Sequence, residues 1–219
     1  KMNNYEKAKS KLNITKAANK GIERIAEEKQ GDKNRVLAAK EMLTYYLGDI
    51  KRLLRKEKHS ADDALLLIIK ANMCMDAIRY LLSLKQGNEY LGLLTESQKA
   101  SIKRFRSLRS IATAHPFYTS SGGEENFGRG GTEWFVDIRP YGWCDDFLSE
   151  SSYGFCEDES FSCSEKPDFV MIVYSANNDS RHRRKIYIYK DIIEPLIMSV
   201  EFLNKEIKKQ NHGTVTPDT

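Results

Sequence analysis

Apolar residues recur every three or four positions through most of the first 115 residues, which is the spacing of amphipathic helices. Polar and glycine-containing breaks separate these stretches at Gly31-Asp32 and Gly87-Asn88, while Ser60 and Thr95 have the character of helix N-caps. The pattern therefore predicts four helices, over residues 4–29, 33–57, 60–86 and 95–115.

The third of these helices is apolar almost all round, although Lys70 and Asn72 interrupt its longest apolar run. A helix of that kind is expected at the centre of a fold rather than on its surface. Four long helices joined by short polar turns are typical of an up-and-down bundle.

The pattern changes after Tyr118. A glycine-rich stretch, SSGGEENFGRGGT, predicts a loop, and three β-branched and aromatic runs follow it. These runs predict strands over residues 132–140, 168–176 and 185–190, the last two joined as a hairpin with Asn177-Asn178-Asp179 near its tip. Helical spacing returns from Asp191, which predicts a last helix that packs on the bundle or on a partner.

The predicted fold class is therefore mainly α: an up-and-down helical bundle with a small antiparallel β insertion before the last helix. Three segments follow from this reading. They are a helical bundle over 1–118, a loop-rich β appendage over 119–190, and a C-terminal helix with a frayed tail over 191–219.

Charge is unevenly distributed along the 219 residues, whose formal net charge is only +4. Basic residues concentrate at 51–58, 99–109 and 181–185, whereas 144–168 is rich in Asp and Glu. A basic surface beside an acidic segment fits a polyanionic ligand. The same charges could equally do no more than solvate helix faces, and both interpretations stay open at this point.

The chain lacks the sequence motifs that mark several classes of enzyme and cofactor-binding protein. No P-loop, dinucleotide fingerprint, HExxH or GxSxG motif is present, so no cofactor is expected. Cys74 lies in an apolar helix and is expected in the core, while Cys144, Cys156 and Cys163 form no CxxC pair. We therefore expect no metal site, and reduced thiols. Without a long apolar run or a signal-like apolar segment, we expect a cytoplasmic protein that does not enter membranes.

The segment RFRSLRSIATAHPFY, residues 104–118, carries the most distinctive chemistry. At about 100° per residue, one stripe of a helix is formed by Phe105, Leu108, Ile111, Ala112 and His115. Arg109 flanks that stripe. Because a proline follows it, His115 falls in the last helical turn, where it can cap unsatisfied carbonyls or project outward. The residues alone permit either a purely structural histidine or an acid–base group.

Arg109-Ser-Ile-Ala-Thr-Ala-His115 has the form R-x5-H, near the end of the fourth helix of a predicted bundle. In this it resembles the HEPN superfamily, whose ribonuclease members carry an R-x(4–6)-H motif late in a helical bundle. The resemblance covers residues 4–118 as architecture. It implies a homodimer in which two motif helices face each other and form one composite site. Ser110 stands where active members often have Asn, Asp or His.

The resemblance implies metal-independent RNA cleavage, of the kind that serves in toxin or phage-defence systems, with a protein antitoxin or regulatory partner. His115 would exchange protons and Arg109 would bind phosphate. The residues expected to contact RNA are Lys103, Arg104, Arg106, Ser110 and Tyr118, with Arg104 and Arg106 pointing toward solvent. Tyr118 could instead pack at the dimer interface. The basic run at 181–185 could extend the RNA surface, or could only keep a strand edge soluble.

The alternative, from a different functional class, is a non-catalytic helical-bundle module that binds nucleic acid or a protein partner. In that case the basic helix would supply charge without chemistry, or the β appendage would dock the partner.

Overall fold

The computed structural model describes residues 2–87, 92–110, 112, 134–140, 167–175 and 180–208. Within them lie six α-helices: α1 (Met2–Lys11), α2 (Lys16–Glu28), α3 (Lys33–Leu53), α4 (Ala61–Gln86), α5 (Glu96–Arg109) and α6 (Glu194–Lys208). Three strands precede α6: β1 (Trp134–Pro140), β2 (Phe169–Ser175) and β3 (Ser180–Ile186). The prediction of a mainly α fold with a small antiparallel sheet before the last helix is confirmed.

The chain divides into two compact units. The first comprises Lys1–Arg55, Lys70–Lys99 and Leu196–Thr219, and the second comprises Lys56–Ile69 and Ala100–Pro195. Three of the four boundaries between the units fall within α4, α5 and α6, and the fourth, between Arg55 and Lys56, follows α3. The three segments suggested by the sequence stay a prediction, since residues 113–133 lie outside the described part. No helix in the described residues is long and apolar enough to cross a bilayer.

The prediction of a single helix over 4–29 is wrong, because the structure has two helices there, α1 and α2, with a break between them. Thr15 caps the new helix, its Oγ1 accepting from the Ala18 N–H at 3.1 Å. The Asn204 side chain from α6 then holds the break. It accepts from the Thr15 N–H at 3.0 Å and donates to the Asn13 carbonyl at 2.8 Å. The Thr15 N–H and the Asn13 carbonyl, which lie in the break between the two helices, are therefore both hydrogen-bonded.

Helix α6 packs on the helices of the first unit, as the sequence predicts. Gly21 of α2 is buried and lies directly against Ile207 of α6. A Cβ at position 21 would overlap the Ile207 Cγ2 atom. The close approach of the two helices therefore requires glycine at this position.

Helix α4 begins as predicted, with a capping box. The Ser60 hydroxyl accepts from the Asp63 N–H at 3.1 Å, and the Asp63 carboxylate accepts from the Ser60 N–H at 2.9 Å. The expectation that α4 is surrounded by core is wrong: its buried residues recur every three or four positions along one face, and Leu66 and Ile69 on the other side are 42% and 41% exposed.

Lys70, which interrupts the apolar sequence of α4, is satisfied inside the first unit. Its Nζ atom lies 2.5 Å from Asp49 Oδ2 and 4.9 Å from the centre of the Tyr46 ring. The hydrogen bond from Lys70 lowers the pKa of Asp49. The Arg52 guanidinium contacts the other oxygen of that carboxylate at 2.6 Å. The half-buried lysine therefore has its charge paired with Asp49 at the edge of the core.

The sheet of the second unit has the order β1-β2-β3, with antiparallel pairing throughout. Phe169, Val170 and Met171 of the central strand are buried, so both faces of β2 are covered at this end. The predicted hairpin between the last two strands is confirmed, although its tip, 176–179, lies outside the described residues.

The predicted strand over 185–190 is wrong in its second half. The strand lies earlier, over the basic run, and Ile188–Ile193 form a wide π-helical turn. Two carboxylates hold this turn: Asp168 accepts from the Ile188 N–H at 2.9 Å, and Asp191 accepts from the Tyr187 N–H at 2.8 Å. Carboxylate oxygens thus accept from the first backbone N–H groups of the turn, in place of carbonyl acceptors from a neighbouring strand.

We expect Gly21→Ala to destabilise the protein by about 1–3 kcal/mol, because the added methyl group overpacks the contact with Ile207. The matched control is Gly48→Ala on the exposed side of α3, where no atom lies within 4 Å of the new Cβ. This control should gain up to about 1 kcal/mol from helix propensity. Urea unfolding followed by circular dichroism measures both, and equal effects would contradict the close packing.

Candidate nucleic-acid interface

Helix α5 begins at a capping box that the sequence predicts. Thr95 Oγ1 accepts from the Gln98 N–H at 3.2 Å, and Gln98 Oε1 accepts from the Thr95 N–H at 3.0 Å. Further along, Phe105 and Leu108 are each only 1% exposed. The predicted packed stripe is therefore confirmed for these two residues, and their burial fixes which face of α5 is turned to the core.

Three cations lie outside the packed stripe in the last two turns of α5, although Ser107, about 40° around the helix from Lys103, is also buried and donates to the Lys103 carbonyl at 3.2 Å. Lys103 and Arg106 are exposed, while Arg109, the last residue of the helix, is half-buried beside the packed stripe. At about 100° per residue, Arg106 lies about 60° around the helix from each of the other two. We call these three residues the α5 ridge. No carboxylate occurs between Lys103 and Arg109 in the sequence, so the helix itself does not offset the charge of the ridge.

Arg104 lies on the opposite flank of the packed stripe and differs from the expectation that it points to solvent. Its Nη2 atom contacts Asp191 Oδ1 at 2.8 Å, and the two side chains are 31% and 4% exposed respectively. The second oxygen of Asp191 accepts from the Tyr187 N–H at 2.8 Å. Arg104 thus joins α5 to the turn that follows β3, and its charge is offset by a buried carboxylate.

The electrostatics of Asp191 reflect its burial. Removal from water raises the pKa of Asp191, and the charge of Asp168 acts in the same direction. Arg104, the Tyr187 N–H and Lys190 act in the opposite direction. Arg104 makes the largest of the contributions that favour the charged form of this carboxylate.

Beyond Arg109 the helix widens, because Ser110 and Ala112 adopt the π-helical pattern. Such local widening of an α-helix is frequent at functional sites. Ser110 is half-buried and directly adjoins Arg109. His115 and Tyr118 lie outside the described residues. The structure thus places Lys103, Arg104, Arg106, Arg109 and Ser110 on one continuous helical segment.

Asp191, the partner of Arg104, is a residue of the candidate site that sequence reasoning missed. Asp191 is the acidic residue that opens the apolar run after the last strand, and it was expected simply to start the last helix. No periodicity or motif connects it with α5, so the pairing becomes visible only in the folded chain.

Cysteine and metal chemistry find no support in the described residues. Cys74 is buried as predicted, and burial raises the pKa of its thiol to about 12, which keeps it protonated and unreactive. The other three cysteines lie outside the described part. Among the residues that the structure does describe, no group of three His, Cys, Asp or Glu could hold a metal ion.

No protein-family model, curated protein or solved structure matches this chain. Helix α5 thus combines a capped N-terminus, a buried apolar stripe and a cationic ridge that ends at Arg109.

We expect Arg104→Met to destabilise the protein by about 2–3 kcal/mol at neutral pH, because it leaves the Asp191 carboxylate buried without its cation. The loss of Arg104 should raise the pKa of Asp191 further. The pKa of an aspartate in the unfolded chain is about 3.9. A carboxyl group whose pKa is higher than this in the folded state stabilises the fold when the pH is below the unfolded pKa, and this contribution is lost as the pH rises through the folded pKa.

The stability deficit of Arg104→Met should therefore be small near pH 4 and grow toward pH 7, as measured by urea unfolding at several pH values. Arg106→Met, which removes an exposed cation from the same helix, serves as the control and should change stability by less than about 0.5 kcal/mol at every pH. A deficit for Arg104→Met that does not change with pH would contradict the pairing with Asp191.

Proposed function

We propose that this chain is a HEPN-like, metal-independent endoribonuclease that acts as a homodimer. The observation that carries the proposal is the α5 ridge: a half-buried arginine at the end of a capped, core-packed helix, in line with two exposed cations. An arginine held in this way can offer its guanidinium to phosphate oxygens as a two-pronged donor. Lys103 and Arg106 add the charge that binds the RNA backbone.

The proposed reaction is attack by a ribose 2′-hydroxyl on the adjacent phosphorus. A base removes the proton of the hydroxyl, the new O–P bond forms as the bond to the 5′-oxygen breaks, and an acid protonates that leaving oxygen. The products are a 2′,3′-cyclic phosphate and a free 5′-hydroxyl. His115 can donate and accept these protons because the ordinary pKa of histidine is about 6.5. Arg109 stabilises the negative charge on phosphate in the transition state.

The dimer follows from the proton balance of this reaction. One histidine cannot readily hold both the base and the acid role in a single turnover, whereas two protomers supply two histidines and two arginines. Each motif helix would therefore face its copy across the scissile phosphate, and Ser110, next to Arg109, would add a hydrogen-bonding hydroxyl. Tyr118 would stack on a base or pack at the dimer interface.

An RNase of this kind acts where RNA is abundant, so we propose a cytoplasmic role in a toxin or phage-defence system. Unrestrained cleavage of cellular RNA would harm the host, and a protein antitoxin or regulatory partner would prevent it.

The second candidate function is binding of nucleic acid without cleavage. It is favoured by one specific feature, namely that the exposed cations of the α5 ridge precede His115 and can bind phosphates without it.

We expect purified protein to cleave single-stranded RNA in the presence of EDTA. Arg109→Ala should lower the single-turnover rate by about 10²–10³-fold, and His115→Ala by about 10²–10⁴-fold. Lys103→Ala and Arg106→Ala should mainly weaken RNA binding, so that high protein concentration restores the rate. Lys33→Ala, an exposed cation at the start of α3, is the control and should cleave as wild type does.

Full cleavage by both the Arg109 and the His115 variant would remove the roles assigned to those residues. A wild-type chain that binds RNA in a salt-dependent way but never cuts it would establish the binding function instead. If the site is composite and needs both histidines, mixing wild type with an excess of His115→Ala should lower the rate per wild-type chain, because the heterodimers carry only one intact histidine.

A further inference from the structure

Helix α3 has an exposed face that combines an aromatic ring, a glycine and two charges of opposite sign. Its four members are exposed and lie within an arc of about 60° at about 100° per residue: Glu41, Tyr45, Gly48 and Arg52. We call these four residues the α3 face. Tyr45 is 64% exposed, more than any other large apolar residue that the structure describes. Tyrosine is among the residues that most often anchor protein interfaces, so this ring is a suitable anchor for a partner.

The Tyr45 ring is held from the side of its own chain. It packs edge-on against Tyr46, with the ring centres 5.3 Å apart, and Lys70 Nζ lies 5.8 Å from the centre of the Tyr45 ring. Lys70 is itself paired with the Asp49 carboxylate at 2.5 Å. A side chain with such neighbours has less freedom to lose when a partner packs against it. Tyr45 therefore projects from α3 in an orientation that its own chain supports.

A gap lies beside this ring, about one turn along α3, at Gly48. A Cβ at position 48 would meet no atom of the described residues within 4 Å. Glycine weakens the interior of a helix relative to alanine, and no close approach among the described residues requires it here. Gly21 differs in this respect, because its Cβ would overlap Ile207. The α3 face thus carries a projecting ring and, next to it, unfilled space.

The members of the α3 face are placed symmetrically along the helix. Tyr45 and Gly48 are equally distant from the midpoint between positions 46 and 47, and so are Glu41 and Arg52. A two-fold axis through this midpoint, perpendicular to the helix, sets α3 antiparallel to the same helix of a second copy. Each Tyr45 then lies opposite the partner's Gly48, and each Glu41 lies opposite the partner's Arg52. One axis satisfies both pairs, which is the self-complementarity that a two-fold contact needs.

The charges of the α3 face favour a second copy over other partners. Arg52 Nη2 contacts Asp49 at 2.6 Å, yet the Arg52 side chain is 74% exposed, so its other donors can reach a second carboxylate. Glu41 is exposed at the other end of the face. A strongly acidic or strongly basic partner would match only one of these two charges, whereas an antiparallel copy matches both.

We propose that the α3 face is a self-association surface, through which α3 packs antiparallel against α3 of a second copy. Small residues let helix axes approach to about 8–10 Å, and Gly48 provides such a position. A contact through one helix per copy is small, so the dimer is weak and depends on protein concentration. All four residues belong to the first unit and none to the motif segment, so this contact is separate from the dimer that the proposed nuclease requires.

Sedimentation equilibrium of RNA-free protein over the micromolar range measures this dimer directly. Glu41→Arg and Arg52→Glu each create two like-charge pairs across the axis, and we expect each to weaken dimerisation by about tenfold. The double variant Glu41→Arg/Arg52→Glu exchanges the signs and should return to within about threefold of wild type. Lys20→Glu, at an exposed position of α2, changes the net charge as Arg52→Glu does and should dimerise as wild type does. Arg52→Glu also loses the contact with Asp49, but the double variant shares that loss, so recovery there reports the contact between copies.

A second variant separates loss of the contact from loss of the fold. Gly48→Gln fills the gap with a residue that favours helix, so we expect the dimer to weaken by about tenfold or more while urea unfolding shows no loss of stability.

Cysteine substitutions test the orientation of the two helices. When Glu41→Cys and Arg52→Cys proteins are mixed under mild oxidation, peptide mapping should find a disulfide between positions 41 and 52. Neither variant alone should link its own two copies at the substituted position. In the antiparallel arrangement these positions lie about 16 Å apart along the helices, which is too far for a disulfide.

A wild-type chain that stays monomeric over the whole concentration range would overturn the inference. A dimer that is unchanged by Gly48→Gln and by both charge reversals would also overturn it, while leaving the contact between motif helices as the source of that dimer. Loss of the dimer in these variants, with recovery in the double variant, would support the α3 contact whether or not the protein cleaves RNA. The outcome for this surface is therefore independent of the outcome for the nuclease.

Discussion

The ion pair between Arg104 and Asp191 is the interaction on which the functional account depends. A carboxylate that is 4% exposed is costly unless a cation and a hydrogen-bond donor offset its desolvation. Arg104 supplies the first and the Tyr187 backbone supplies the second. Because Arg104 belongs to α5 and Asp191 to the turn after β3, the cost of leaving the Asp191 carboxylate buried without its cation favours contact between the two elements.

This pairing also divides the cations of α5 into two groups. Arg104, on one flank of the buried stripe, contacts the buried Asp191 carboxylate, and Lys103 and Arg106 are exposed. Arg109 lies on the other flank, at the C-terminal end of the helix, where the helix dipole favours a positive side chain. The same apolar contacts that bury Phe105 and Leu108 thus set the direction in which the remaining cations are presented.

Local signals predicted much of this arrangement. The N-caps at Ser60 and Thr95 and the hairpin between the last two strands depend on residues close in sequence, and each is found in the structure. The break after α1 and the Arg104–Asp191 pair were missed because each depends on a residue distant in sequence.

The strand predicted over 185–190 failed for a related reason. Its aromatic and β-branched residues favour a strand, but the carboxylates of Asp168 and Asp191 take the backbone donors and stabilise a π-helical turn instead. For the candidate site, helical geometry correctly placed Phe105 and Leu108 in the core and Arg109 beside them. The approach of Arg109 to His115 stays a prediction, since His115 is outside the described residues.

The most direct measurement of the central claim is the chemistry of the RNA ends produced by wild-type protein in EDTA, read by mass spectrometry. The substrates would be an all-ribose strand and the same strand with a single 2′-deoxy residue on the 5′ side of the cleaved bond. The account predicts 2′,3′-cyclic phosphate ends from the first and no cut at the substituted position in the second. Cleavage that proceeds past the missing hydroxyl, or products with a 5′-phosphate, would contradict it.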